Sequence, residues 1–422
     1  MATIQSNIHE SILDAGARIF IARTGAKDIV TVQGSVHGGP NHLPKDSTAV
    51  AHLTSELLDA GTKTKSKEEL RTLLASRGAN LSFFSSGDRT FFSGTCLPED
   101  VTLLLSLATE CLHSSVFTAK ELELAKERLL GELIEEKSDT RTQGSIAFSR
   151  ELYDKHHVQY RATTEERIAS LKKISRADLV QHAQFGQSGL ILSVVGDVQI
   201  EKTKRAVEVA MKHLPKLGHE VPAKKLNSKK SAGREVFVSI PDKTNIDTYI
   251  GTGVPITSGD TSYLHLVTLI SLLGGRGLAS GHLMRTIRER DGLTYHISAS
   301  PAGFAVDTDG AFQIYATFSP ATFKKAVLAT KKEIAFFFTK GITKEALSSK
   351  KDELAGSYLV RLATTTGLAS ELHKIGIDGK PLSYIDEYPK LIREITLPQL
   401  KEIAKTIPYQ NFSTVASGTL PK

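Results

Sequence analysis

The hydrophobic pattern of the chain changes period repeatedly, from short strand-like runs to stretches at helical spacing. Ala17-Arg18-Ile19-Phe20-Ile21-Ala22 reads as a strand. A second run over 29–36 follows, then a helix over 48–59 that Gly61 ends, and a helix over 67–76. Strands at 80–85 and 90–95 flank the Ser86-Gly87-Asp88 turn, and helices at 98–112 and 119–136 follow. A strand over 189–196 and a helix over 201–213 close this half. Beyond residue 234 the order recurs: strands at 234–240 and 247–252, helices at 263–273 and 281–290, strands at 293–300 and 310–317, then helices at 321–338 and 344–364. Strands that come in neighbouring pairs predict mostly antiparallel sheets, so the expected fold is α+β with two homologous domains, each a sheet packed with helices. A doubly wound parallel sheet is the alternative.

The length of 422 residues agrees, because it exceeds what one hydrophobic core ordinarily serves. The expected division is an N-terminal domain over 1–213, a linker over 214–234 and a C-terminal domain over 235–422. In that linker Lys216, Lys224, Lys225, Lys229, Lys230 and Arg234 face a single acid, Glu220, amid prolines and glycines. A net charge of +7 could suit nucleic acid, but Trp is absent, aromatics are 6%, and most of the positive charge is dispersed, so no nucleic-acid partner is expected. The most apolar run, 264–273, is interrupted by His265, Thr268 and Ser271, well short of the ~18 unbroken residues a span needs, so no membrane span is expected. Met1-Ala2-Thr3-Ile4-Gln5-Ser6-Asn7 has neither a basic nor an apolar signal region, which makes a cytoplasmic location the expectation. Two cysteines, Cys96 and Cys111, without metal-ligand spacing, read as buried thiols.

Among candidate chemical groups, His52 and Glu56 stand at i and i+4 and so share one helix face. His156-His157 would point about 100° apart on a helix and read as a surface pair. Gly274-Gly275-Arg276-Gly277 follows a helical run and lacks the spacing of a phosphate loop, so it reads as a flexible connection.

The stretch Ala51-His52-Leu53-Thr54-Ser55-Glu56-Leu57-Leu58-Asp59-Ala60-Gly61-Thr62 resembles the metal-binding helix of the pitrilysin (insulinase) metallopeptidase family, whose inverted zinc motif H-x-x-E-H sits in the same frame. The resemblance continues through residues 67–95, Thr163-Thr164-Glu165-Glu166-Arg167, Val194-Val195-Gly196-Asp197, Leu272-Leu273-Gly274-Gly275 and the run from Ile287 to Tyr295. It implies a mitochondrial-processing-peptidase-like metallohydrolase fold. It also implies a degenerate metal site: His52 keeps the first ligand, Ser55 replaces the catalytic base, Glu56 replaces the second ligand, Glu132 falls on the third, and a supporting acid has become Ala125. Ser55 accepts no proton near neutral pH, and loss of a general base costs about 10²–10⁴-fold. Two readings of His52 and Glu56 stay open, a plain helix pair and a vestigial site for a harder ion.

In the half without the metal, the family carries an Arg and a Tyr seven residues apart that hold the substrate carbonyl, and these correspond to Arg288 and Tyr295. A guanidinium and a phenol both donate to an oxygen that becomes negative. Without the resemblance, Tyr295 reads equally as a half-buried core residue on the face of Leu293 and Ile297. The resemblance therefore implies a non-catalytic subunit of a heterodimeric zinc metallopeptidase. This chain would bind no cofactor, a homologous catalytic subunit with an intact motif would hold the zinc, and a peptide would be the substrate. The alternatives are an inactive assembly protein of a larger complex and a stand-alone hydrolase using His52, Glu56 and Glu132.

Overall fold

The computed structural model describes residues 3–13, 16–186, 189–212, 214–215, 227–229, 231–275 and 281–420. Most of the expected linker, and Arg276 and Gly277, lie outside them. The chain divides into two compact units, and neither is continuous in sequence.

The first unit comprises Met1–Leu133, Thr164–Pro222 and Leu359–Glu387. Its sheet contains β1 (Ile8–Ile12), β2 (Arg18–Arg23), β3 (Val30–His37), β4 (Asn80–Ser86), β5 (Arg89–Cys96) and β6 (Ile191–Gly196) in the order β1-β2-β6-β3-β5-β4. Only β2 and β6 pair in parallel. Every residue of β6 is buried, which is why it reads as a continuous apolar run rather than an alternation. Gly34 of β3 faces Phe92 of β5 in register, and a Cβ there would stand 2.1 Å from the ring, so only glycine admits this aromatic to the core.

Helices α1 (Ala49–Glu56), α2 (Lys67–Ser76) and α3 (Val101–Ser114) pack against β4 and β5, and α4 (Ala119–Glu136) joins them in the core. Their apolar stripes meet in a core that includes Val32, Leu53, Leu58, Leu104, Leu105, Leu122, Leu129 and Leu192. Against β3 and β6 lies the helix Thr365–Ile377, contributed from far along the chain. It is tied down by Ser193 Oγ, which donates to the Ala369 carbonyl at 2.9 Å, and by the contact of Ser35 Oγ with His373 Nε2 at 2.9 Å.

The second unit comprises Ile134–Thr163, Ala223–Tyr358 and Tyr388–Lys422. Its sheet contains β7 (Glu235–Ser239), β8 (Ile246–Thr257), β9 (Thr294–Ala302), β10 (Asp309–Phe318) and β11 (Ser413–Gly418), in the order β7-β11-β8-β10-β9, with only β7 and β11 parallel. Helix α5 (Thr140–Leu152), from the N-terminal half of the sequence, packs on β8 and β11, where Phe148 stacks on Tyr249 at 5.6 Å. The helix Tyr263–Gly274 packs on β9, and Leu266, Leu269, Ile270, Phe312, Ile314 and Phe337 form the core around it.

The α+β class and the mostly antiparallel sheets agree with the sequence, and the doubly wound alternative does not. Strands β1 and β11 and the helices at 140–152, 164–171, 176–182, 365–377, 384–394 and 397–406 are additional to the elements expected from the sequence. The reading of His156-His157 as a surface pair is corrected for His157. His157 is not at the surface: its side chain is 1% exposed, stacks on Tyr153 at 4.3 Å and binds Asp309 Oδ1 through Nε2 at 2.9 Å. The segment turns after α5, so the two histidines do not share a helix. Cys96 and Cys111 are buried, and burial pushes both thiols up to about 12.

Candidate functional site

Two groups of side chains carry the chemistry, one in each unit. In the first unit, α1 and α4 each present an i, i+4 pair to one cleft of about 550 Å³, which His52, Glu56, Arg128 and Glu132 line together with Asp59, Lys67, Arg71 and Glu121. The structure thus gathers the three positions that the sequence singled out. His52 Nε2 lies 3.5 Å from Glu56 Oε2, the contact expected of a simple helix pair. Ser55 does not face the cleft: it is buried, and its hydroxyl donates to the His52 carbonyl at 2.9 Å within the same helix. Glu56 is ion-paired with the guanidinium of Arg128.

Half of the His52 side-chain surface is open to solvent, yet desolvation holds its pKa below the ordinary histidine value. Arg128 and Arg167 add to this, and Glu132 opposes it. Burial raises the Asp59 carboxyl, with Arg71 working the other way. Lys67 pairs with Glu121 across the same cleft.

Zinc does not fit this arrangement. A zinc site of this kind needs free donor atoms converging on one point and an acceptor for the proton of bound water. Here the second ligand position is a carboxylate already engaged by a cation, and the base position is a hydroxyl turned into its own helix. Among the described residues no group of three His, Cys, Asp or Glu side chains is arranged to hold a metal ion. Arg128 is the residue that sequence reasoning missed. Its signal was its place one helical turn before Glu132, on the same face of α4.

In the second unit, the helical segment leading to Arg288 is π-helical over Met284–Arg290. It ends through Gly292 at φ +62°, with the Leu293 N–H returning to the Ile287 carbonyl at 2.9 Å. One extra residue per turn shifts every following side chain around the axis, and such turns recur at functional sites. A second irregularity follows at once. In the β9–β10 register Thr294 pairs with Phe318 and His296 with Thr317, so Tyr295 is the unpaired residue of a β-bulge. The bulge breaks the alternation, takes Tyr295 off the face of Leu293 and Ile297, and leaves it 84% exposed. The core-residue reading of Tyr295 is therefore overturned. Arg288 lies with its guanidinium carbon 4.9 Å from the centre of the Tyr295 ring, and its Nη1 is 3.7 Å from Met284 Sδ. Guanidinium and phenol are thus held together and presented outward.

Residues 18–160 match the family described as insulinase (peptidase family M16), and residues 174–354 match the peptidase M16 inactive domain. A protein of Helicobacter pylori named non-peptidase homolog YmxG is 24% identical over 94% of this chain and 90% of its own length. A Bacillus subtilis protein named uncharacterized zinc protease YmxG is 21% identical over 96% and 98%. Among solved structures, a peptidase M16 inactive domain from Pseudomonas fluorescens superposes with a TM-score of 0.88 at 20% identity, over 98% of this chain and 99% of that one, a likeness of fold. With both family domains in order along one chain, and with this sheet architecture, the protein belongs to the peptidase M16 (insulinase) family.

Proposed function

We propose that the chain is a non-catalytic subunit of a heterodimeric zinc metallopeptidase. In this reading a homologous partner with an intact metal motif holds the zinc, and this chain closes the peptide-binding chamber and supplies Arg288 and Tyr295 to the partner's active site. The observation that carries the proposal is the contrast between the two sites. The metal helix has lost its base and has its second ligand position engaged by Arg128, whereas two independent backbone irregularities bring Arg288 and Tyr295 together and expose them. An exposed tyrosine held by an arginine contributes little to a core, so its placement calls for a ligand. The Helicobacter relative named as a non-peptidase homolog supports the inactive half of the reading.

Chemically, the guanidinium N–H groups and the phenol hydroxyl can both donate hydrogen bonds. Both can follow a peptide carbonyl oxygen as it becomes negative in a tetrahedral transition state. The stacked geometry limits the freedom of the guanidinium before substrate arrives. The ion pair at Glu56 argues against a stand-alone hydrolase.

The test is co-purification with a family member of similar length that carries an intact motif, followed by assay on a quenched fluorescent peptide. Arg288→Ala and Tyr295→Phe should each leave the complex intact and lower kcat by about 10²-fold, the usual effect of removing an oxyanion donor. Wild-type turnover in both variants would remove the donor role. A stable complex with no peptidase activity at all would instead favour an assembly protein.

A further inference from the structure

We infer that Arg128 is a built-in cation standing in the place of a divalent metal, and that its contact with Glu56 keeps His52, Glu56 and Glu132 from binding one. The cleft between α1 and α4 holds an imidazole and two carboxylates on facing i, i+4 pairs, a donor set suited to a hard or borderline divalent ion. Arg128 rises from α4 one turn before Glu132 and crosses to the Glu56 carboxylate. It thereby places positive charge among the three candidate donors and engages Glu56 Oε1, while Glu56 Oε2 stays 3.5 Å from His52 Nε2.

The remaining charges lining the cleft are largely matched among themselves, Lys67 with Glu121 and Arg71 beside Asp59; Arg167 also acts on His52 through its charge, but Arg128 is the cation in contact with a donor, the Glu56 carboxylate. A divalent ion entering beside it would meet a fixed like charge a few ångströms away and would have to take Glu56 from its partner. The inference concerns the residues of this cleft only and stands whether or not the chain pairs with a peptidase.

The experiment uses the purified full chain, stripped with chelator, and measures binding of Zn²⁺ and Mn²⁺ by competition with a metallochromic indicator and by the metal-induced shift in Tm. Wild type should show no one-to-one binding. Arg128→Gln should bind one ion per chain at least about a hundredfold more tightly than wild type, because both the like charge and the competition for Glu56 are gone. Arg128→Lys, which keeps the charge, should stay near wild type, and the double variant H52A/R128Q should lose the gain. Arg128→Met, with its unbranched stem, carries the test if Arg128→Gln melts early. A folded neutral variant that binds no better than wild type would overturn the inference. So would wild-type binding of one ion per chain that disappears on His52→Ala.

Discussion

His373 shows how one side chain can tie stability to pH. It sits in the helix Thr365–Ile377, buried against the sheet of the first unit, with Ser35 Oγ 2.9 Å from its Nε2. Arg89 Nε donates to that same hydroxyl at 2.5 Å, so the hydroxyl proton is directed to the imidazole, which must accept it in the neutral form. Burial, and secondarily the charge of Arg89, hold the pKa down at about 3. A histidine depressed in the folded state takes up its proton more readily when unfolded. The stabilisation is therefore complete above the unfolded value of about 6.5 and is lost progressively as pH falls from there toward 3, by up to about 1.4 kcal/mol per pH unit. His373→Gln retains a polar partner for Ser35 but does not titrate, so its unfolding free energy should fall less steeply between pH 6.5 and 4.5 than that of wild type. Urea denaturation at a series of pH values measures this, and parallel slopes in the two proteins would refute it.

Each sheet also receives a helix through a glycine, and the two contacts are alike. Gly376 brings the helix Thr365–Ile377 onto β6, where an added Cβ would lie 2.5 Å from Ile191 Cγ2 and 3.1 Å from Phe20 Cε2. Gly144 does the same for α5, where a Cβ would lie 2.6 Å from Ser417 Oγ. Alanine in a helix gains about 1 kcal/mol over glycine, whereas overpacking a filled interface costs about 1–3 kcal/mol. The second effect should win at Gly376, so Gly376→Ala is expected to destabilise by about 1–2 kcal/mol in urea unfolding. Gly356, in the helix Lys344–Leu362, has nothing within 4 Å of its added Cβ, and Gly356→Ala should stabilise by up to about 1 kcal/mol. Stabilisation at both positions would show that propensity rather than docking controls them. Such contacts were not legible in the sequence, because a glycine amid helical spacing lowers confidence in a helix without naming what it touches. The π-turn before Arg288 and the bulge at Tyr295 were hidden for a related reason: both break the periods by which helices and strands are read, and period two put Tyr295 in the core.

At the scale of the whole chain, the repeated order of elements pointed to two α+β domains, because hydrophobic period reports regular local structure even where it misses bulges, π-turns and some helices. It does not report which sheet a helix will cover. The first unit takes Leu359–Glu387 from beyond the 214–234 segment, and the second takes Ile134–Thr163 from before it. A fragment of residues 1–213 therefore lacks the helix whose Ala369 and His373 bind β6 and β3, and it would expose Ile191, Phe20 and the buried Arg89–Ser35 pair. A fragment of residues 235–422 lacks α5, and with it the Phe148, Leu152 and Tyr153 cluster that covers Tyr249, Ala311 and Val415, as well as the His157 partner of buried Asp309. An uncovered apolar face of that extent and orphaned buried polar groups together exceed the few kcal/mol by which domains are stable. Neither fragment should give a cooperative urea transition alone, whereas the two co-expressed should co-purify and unfold together. A 1–213 fragment that unfolds cooperatively with the stability of the intact chain would mean that the returning helix is dispensable, and that the boundary drawn from sequence, rather than the discontinuous division, marks the folding unit.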